Sequence, residues 1–335
     1  MRFALSPEQR DFATSLRKMC AAARTPALIR DWSGGGSRGG RGLIHQLAGA
    51  GAMGLAIAED YDGMGAETID LVVAAQELGR AAVPGPVIET AAVLPTLLQA
   101  LDDNAPARRW LPAFAAGRAL GTVALSPTTP ALDADSADVL LVVDGDRLCT
   151  ASRGERIESV DPARRLYAVS TDEVVAQGDS VVAAARSGFD AGALASAAQL
   201  LGAGQAMLDT SVAYVVQRHQ FGQPIGRYQA VKHHLADAKI GLDMAEPLLY
   251  RAALSFGTDD RARDVSAATI ACKEAAYRTA RIALQVHGAI GYTAECDLSL
   301  WLTKVTALRS AWGTADFHRA RVAAALRADR GGVSA

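Results

Sequence analysis

Along the first third of the chain, apolar residues recur at helical spacing. Ser6-Pro7-Glu8-Gln9 is a helix start: Ser6 can cap, Pro7 suits the first helical position and Gln9 completes a capping box, with Phe12, Leu16 and Met19 following on one face. The glycine-rich stretch at 33–42 interrupts this pattern. It reads as a flexible connector, because a phosphate-cradling loop would need a preceding strand and a following Gly-Lys-Ser/Thr. Helical patterning resumes at 43–54, gives way to a turn-rich loop at 55–65, and returns at 69–80 with Leu71, Ala74, Ala75 and Leu78 on one face. Pro84-Gly85-Pro86 stops that helix, and further helical runs extend to Leu101 and over 107–116.

The middle of the chain changes period. Val139-Leu140-Leu141-Val142-Val143 and Arg147-Leu148-Cys149 flank Asp144-Gly145-Asp146, a strong hairpin signal, and Leu166–Val169 and Val181-Val182-Ala183 read as further short β-runs. From Phe189 onward the pattern is helical again, with helices expected at 193–217, 229–256, 262–287 and 297–327, lengths that suit an up-down four-helix bundle. The expected organisation is mostly α: an N-terminal helical domain (1–118), a reduced β-domain (119–186) and a C-terminal four-helix bundle (187–335).

Composition narrows the picture. At 335 residues the chain exceeds the roughly 250–300 over which one core keeps growing, so several packed units are expected. Alanine-rich helices with 5% aromatics predict close helix–helix approach. A formal charge of −2 removes the electrostatic case for nucleic-acid binding. Cys20, Cys149, Cys272 and Cys296 form no C-x-x-C pair, so neither a disulfide framework nor a metal site is expected. Residues 1–10 are polar, and no segment approaches the roughly 20 apolar residues of a membrane span, so a cytoplasmic location is expected.

Three ordered motifs carry a resemblance. Arg218-His219-Gln220-Phe221-Gly222-Gln223-Pro224-Ile225 with Gln229-Ala230-Val231 is similar to the R-x-x-F-G-x-x-I…Q-A signature of acyl-CoA dehydrogenases. Gln285-Val286-His287-Gly288-Ala289-Ile290-Gly291-Tyr292 resembles their Q-x-x-G-G-x-G-Y/F motif. Leu47…Gly51…Gly54-Leu55…Glu59…Tyr61-Asp62-Gly63-Met64-Gly65 resembles their N-terminal loop, with Ala58 for a proline and Asp62 for a glycine.

The resemblance implies FAD as cofactor and α,β-dehydrogenation of an acyl-CoA thioester. Arg218 and Phe221, three apart and expected on the last turn of a helix, would grip a pyrophosphate and pack on a flat heterocycle of a flavin held by a neighbouring subunit. Gln229, Gln285, Gly288, Ala289 and Gly291 would complete that clamp, and Gly313 and Thr314 belong to the family's Gly-Thr flavin contact.

The family's base is missing from both of its addresses. It usually precedes the Gly-Thr, where this chain has Trp312; a minority of members carry it at the start of the first bundle helix, where alignment through Gly202 places Gly192 and Ala193. Asp316 and Asp190 are the nearest carboxylates, each reading as a surface or capping residue, with Asp316 a weak candidate for a displaced base. The segments that hold the flavin ring are also reduced around 122–130 and 150–152.

A short β-domain and the segment 77–86 resemble the partner chains of heteromeric actinobacterial acyl-CoA dehydrogenases, some acting on steroid-derived CoA thioesters. The resemblance therefore implies an α2β2 assembly with a second acyl-CoA dehydrogenase-like subunit, an acyl-CoA substrate and an electron-transfer flavoprotein as acceptor. Two alternatives stay open: a self-sufficient flavin enzyme on CoA esters that uses Asp316, and a non-enzymatic scaffold. His233-His234 reads as an interface or solvated face, and Lys304 and Arg309 as exposed charges.

Overall fold

The computed structural model describes residues 4–331. The ends of the expected outer domains, residues 1–3 and 332–335, lie outside the described residues.

Six helices come first: α1 (Pro7–Ala22), α2 (Thr25–Ser33), α3 (Arg38–Gly49), α4 (Thr68–Arg80), α5 (Leu94–Gln99) and α6 (Ala105–Ala115). The capping box forms as its residues dictate, with the Gln9 backbone N–H donating to Ser6 Oγ at 3.2 Å and the Ser6 N–H to Gln9 Oε1 at 3.0 Å. The glycine stretch is not one flexible loop. Only residues 34–37 lie outside helices, and α3 begins inside the run, because Gly39 and Gly40 let it settle against Leu28 and Trp32 of α2.

A five-stranded sheet follows, built from β1 (Gly121–Ala124), β2 (Ala131–Leu132), β3 (Val139–Asp144), β4 (Arg147–Ile157) and β5 (Leu166–Gln177) in the order β1-β3-β4-β5-β2. β1 and β3 are parallel and the other pairs antiparallel. The β3–β4 hairpin turns where predicted, through Gly145 at φ +65° and Asp146. Val181-Val182-Ala183 is not a strand but lies in the first turn of a helix, because Val181, Ala184 and Gly188 face the core together at helical spacing.

That helix, α7 (Asp179–Gln217), packs with α8 (Gln229–Leu254) and α9 (Arg261–His287) into the bundle, between which β6 (His219–Gln220) and β7 (Gln223–Pro224) form a small hairpin. The fourth expected helix is broken into α10 (Leu298–Leu308) and α11 (Ala315–Gly331), because Trp312 and Gly313 adopt φ of +54° and +88°. Small residues do set the packing: a β-carbon on Gly202 of α7 would fall 1.9 Å from the Gln76 carbonyl oxygen of α4.

A buried polar knot joins the first domain to the sheet. Arg165 bonds Asp133 through Nε at 3.2 Å and stacks over Trp32, whose Nε1 donates to the same carboxylate oxygen at 3.0 Å. Among the described residues no helix is long and apolar enough to cross a membrane.

Candidate functional site

The turn between α10 and α11 carries Trp312 at the first expected base position. Lys273 of α9 reaches under this turn, donating to the carbonyls of Ala311 and Gly313. His318 of α11 holds it from the other side, 2.8 Å from the Trp312 carbonyl and 3.2 Å from Ser266 Oγ. Burial lowers the imidazole pKa to about 4, so the ring is neutral; it then donates from Nε2 to the carbonyl and accepts at Nδ1 from the Ser266 hydroxyl. Neither Lys273 nor His318 was legible as a site residue, since each acts through contacts made far from its place in sequence.

The Trp312 indole lies on α7. A β-carbon added to Gly192 would fall 2.5 Å from Cε3 of the ring, and the Phe189 ring stands edge-on to it at 6.3 Å. The two positions expected for the base are therefore one place, filled by an indole. Asp190, expected as a surface or capping residue, is instead buried and bonded by Arg321 at 2.8 Å and Arg261 at 3.1 Å. The bundle needs a carboxylate there because two guanidinium groups converge on it.

Trp312 and Phe189 form one wall of a cavity of about 530 Å³ between sheet and bundle, with Val123, Leu132 and Leu166 opposite. Its one deeply buried carboxyl is Glu89, only 4% exposed, at the start of a π-helical turn, Glu89–Val93. Thr90 ties that turn to β1, donating to the Gly121 carbonyl at 2.9 Å and accepting from the Gly121 N–H at 3.0 Å. Burial raises the Glu89 carboxyl to about 7, opposed by the positive charge of Arg164. The sequence did carry a signal for it: Glu89 is the only charged residue between Arg80 and Asp102.

Arg218 and Phe221 do not share a helical turn. α7 ends at Gln217, Arg218 is extended, and Phe221 sits in the β6–β7 turn at φ +54°, 93% exposed. The second motif does come to the same end of the bundle. Tyr214 stacks on His287 at 4.2 Å, which brings the end of α7 beside the end of α9 and Gly288. Gly288, at φ +66° with open space around it, and Ala289 face outward, whereas Gly291 is buried against Leu284 and Leu298. Gln229 is the exposed first residue of α8.

Gln285 and Thr314 share a separate groove of about 980 Å³ with Lys273, Arg278, Arg281 and Arg309. Arg281 and Gln285 are exposed one helical turn apart on α9. Among the described contacts Arg281 has no carboxylate partner. The groove also carries Asp237, Glu274 and Asp316, which pair with Arg278 and Arg319; Arg281 with the Gln285 amide and the Thr314 hydroxyl is the part that fits an anionic group such as the pyrophosphate of FAD.

Asp316 lines that groove and not the Trp312 cavity; its side chain is 91% exposed and pairs with Arg319 at 2.8 Å. Trp312 has positive φ, so the helical register that would align Asp316 with it is absent. Lys304 is buried beside Asp161 at 3.4 Å, not an exposed charge, because α10 packs it toward the interior. Arg309 is exposed but stacks over Tyr277 at 3.7 Å. His233 and His234 are exposed, and no metal-binding cluster occurs among the described residues.

Comparison with known proteins agrees with this architecture. Residues 6–118 match the acyl-CoA dehydrogenase N-terminal domain and residues 182–327 the acyl-CoA dehydrogenase C-terminal domain. Acyl-CoA dehydrogenase IpdE2 of Mycobacterium tuberculosis is 32% identical over 257 residues, 76% of each chain. Among solved structures, a chain of the ChsE4–ChsE5 complex from Mycobacterium tuberculosis superposes with a TM-score of 0.83 at 20% identity, covering 98% of this chain and 99% of that one. A variant of the Tcur3481–Tcur3483 steroid ACAD superposes with a TM-score of 0.80 at 22% identity, covering 98% and 99%. The chain belongs to the acyl-CoA dehydrogenase family.

Proposed function

We propose that this chain is the base-lacking subunit of a heteromeric, FAD-dependent acyl-CoA dehydrogenase. When bound, FAD would supply the hydride acceptor for α,β-dehydrogenation of the thioester, and a carboxylate of the assembly would take the α-proton. The observation that carries the reading is the Trp312 indole over Gly192, which leaves no carboxylate at either family address. An indole cannot accept that proton.

This chain's contribution is then a clamp. Arg218 grips the pyrophosphate of a flavin held mainly by the partner, and Phe221 packs on its flat surface. Gly288 and Ala289 admit close backbone approach, and Gln229 presents an amide to the cofactor at the exposed start of α8. Thr314, with Gln285 and the cations of their shared groove, and Gly313, at the edge of the Trp312 cavity, are the remaining flavin contacts of this reading. The exposure of Phe221, Tyr292, and the Ile240, Met244 and Leu248 stripe of α8 supports a partner covering this end and face. The likeness to chains from the ChsE4–ChsE5 complex and the Tcur3481–Tcur3483 steroid ACAD supports a heteromeric assembly and steroid-derived acyl groups. The reading adds an α2β2 arrangement and an electron-transfer flavoprotein as acceptor, in the cytoplasm.

The test compares the chain purified alone with the chain co-purified with its partner. Flavin absorbance and acyl-CoA oxidation are expected only in the complex, and Arg218→Ala is expected to lower its flavin content. Full flavin occupancy and turnover by the chain alone overturns the proposal.

A further inference from the structure

Two residues outside the clamp join its halves. The Arg218 N–H donates to the Tyr214 carbonyl at 2.9 Å, closing α7, so the place of Tyr214 sets where the chain leaves the helix. The β6–β7 hairpin with Phe221 is rooted there, because the Ile225 N–H returns to the Arg218 carbonyl at 2.8 Å. In that last turn Ala213, Val216 and Gln217 are exposed and Val215 packs against Gly226 beyond the hairpin, while Tyr214 turns its ring to α9. The ring it meets, His287, is the last residue of α9, 7% exposed, with Gly288 at φ +66° directly after it. That imidazole is held in place: its Nδ1–H donates to the Ala283 carbonyl at 2.8 Å. The following turn folds back on it, since a β-carbon on Gly291 would fall 3.1 Å from the His287 Cβ. Burial lowers the imidazole pKa, so a neutral ring lies against the phenol at 4.2 Å with the planes 21° apart.

We propose that Tyr214 and His287 are positioning residues whose stacked rings fix the spacing between Arg218, with its hairpin, and the turn at 288–291, and so set the fit of the clamp to a dinucleotide. The inference rests on the clamp reading and deepens it. Arg218, Phe221, Gly288 and Ala289 are all exposed, so the register between them comes from the pair behind them. A clamp made from two helix ends grips only at one separation, because directional contacts are lost once donor and acceptor part by more than about 0.5 Å. Aromatic planes suit that task. Stacking sets separation and tilt together, and each ring turns about only two side-chain bonds.

The test uses the chain in complex with its partner and follows FAD release on dilution by flavin fluorescence, which gives a dissociation constant without turnover. Subunit stoichiometry and the unfolding midpoint are measured on the same samples. Tyr214→Phe keeps a ring against His287 and should hold FAD as the wild type does. Tyr214→Leu and His287→Leu, which fill apolar space without a stack, should each weaken FAD about tenfold with the complex still assembled, the size of one lost contact to a charged group. The double Leu variant should lose no more than either single one, because one ring has nothing to stack on. FAD held by the wild type and equally by the Leu variants overturns the positioning role alone. So does a loss in Tyr214→Phe as large as in Tyr214→Leu, or a loss that comes only with disassembly or unfolding, which marks a merely structural pair. Absence of FAD from the wild-type complex overturns the proposed function and this role together.

Discussion

The indole of Trp312 rests on the backbone of Gly192, so close that a β-carbon at residue 192 would fall 2.5 Å from the ring. Two positions 120 residues apart, each read from sequence as an empty address for a base, are one contact. The tryptophan occupies the room and the glycine provides it.

Gly192→Ala is therefore expected to destabilise the chain by about 1–3 kcal/mol, because the ring is backed by Phe189 and cannot withdraw freely. In a Trp312→Ala background the sign should reverse. With the ring gone, alanine in the interior of α7 is favoured over glycine by about 1 kcal/mol. A denaturant-unfolding double-mutant cycle measures both arms, and additive effects would show that the contact carries no energy.

The two carboxylates nearest the Trp312 turn should behave oppositely. Asp190→Ala leaves Arg261 and Arg321 without their shared buried partner and is expected to cost about 3 kcal/mol. Asp316→Asn removes only an exposed pairing with Arg319, and its unfolding midpoint should match the wild type. The same Asp316→Asn variant, assayed in the purified complex, is expected to keep full acyl-CoA oxidation. Loss of turnover there would restore Asp316 as a displaced base.

Glu89 makes stability depend on pH. Its carboxyl sits near 7 in the folded chain and near 4.5 unfolded, so between these values the folded state holds the extra proton. Stability from this group is full below about pH 4.5 and is lost as pH rises to about 7, by an amount on the order of 3 kcal/mol. Glu89→Gln lacks this loss. Relative to wild type it should gain stability from pH 4.5 to pH 7 and hold a constant difference above, as read by unfolding at a series of pH values. A constant difference across that range would place the Glu89 carboxyl at its ordinary value.

Much of the fold was legible because its signals are local. The Ser6/Gln9 box, the Gly145 turn and the long apolar periods of α8 and α9 depend on residues within a few positions of one another. Misreadings arose where packing overrode local preference. Val181-Val182-Ala183 joined α7 because its helical face had a core to meet, and the glycines at 39 and 40 went into α3 because Trp32 and Leu28 needed the space.

By itself the sequence determined the family motifs, the order of helical and β segments, and the absence of a glutamate at either expected base position. Tertiary structure alone decided that Trp312 and Gly192 are one site, that Asp190 is buried while Asp316 is not, and that Glu89 faces a cavity. Those relations join segments tens to hundreds of residues apart. Burial, which sets both the cost of a charge and the room for a ring, exists only once those segments have packed.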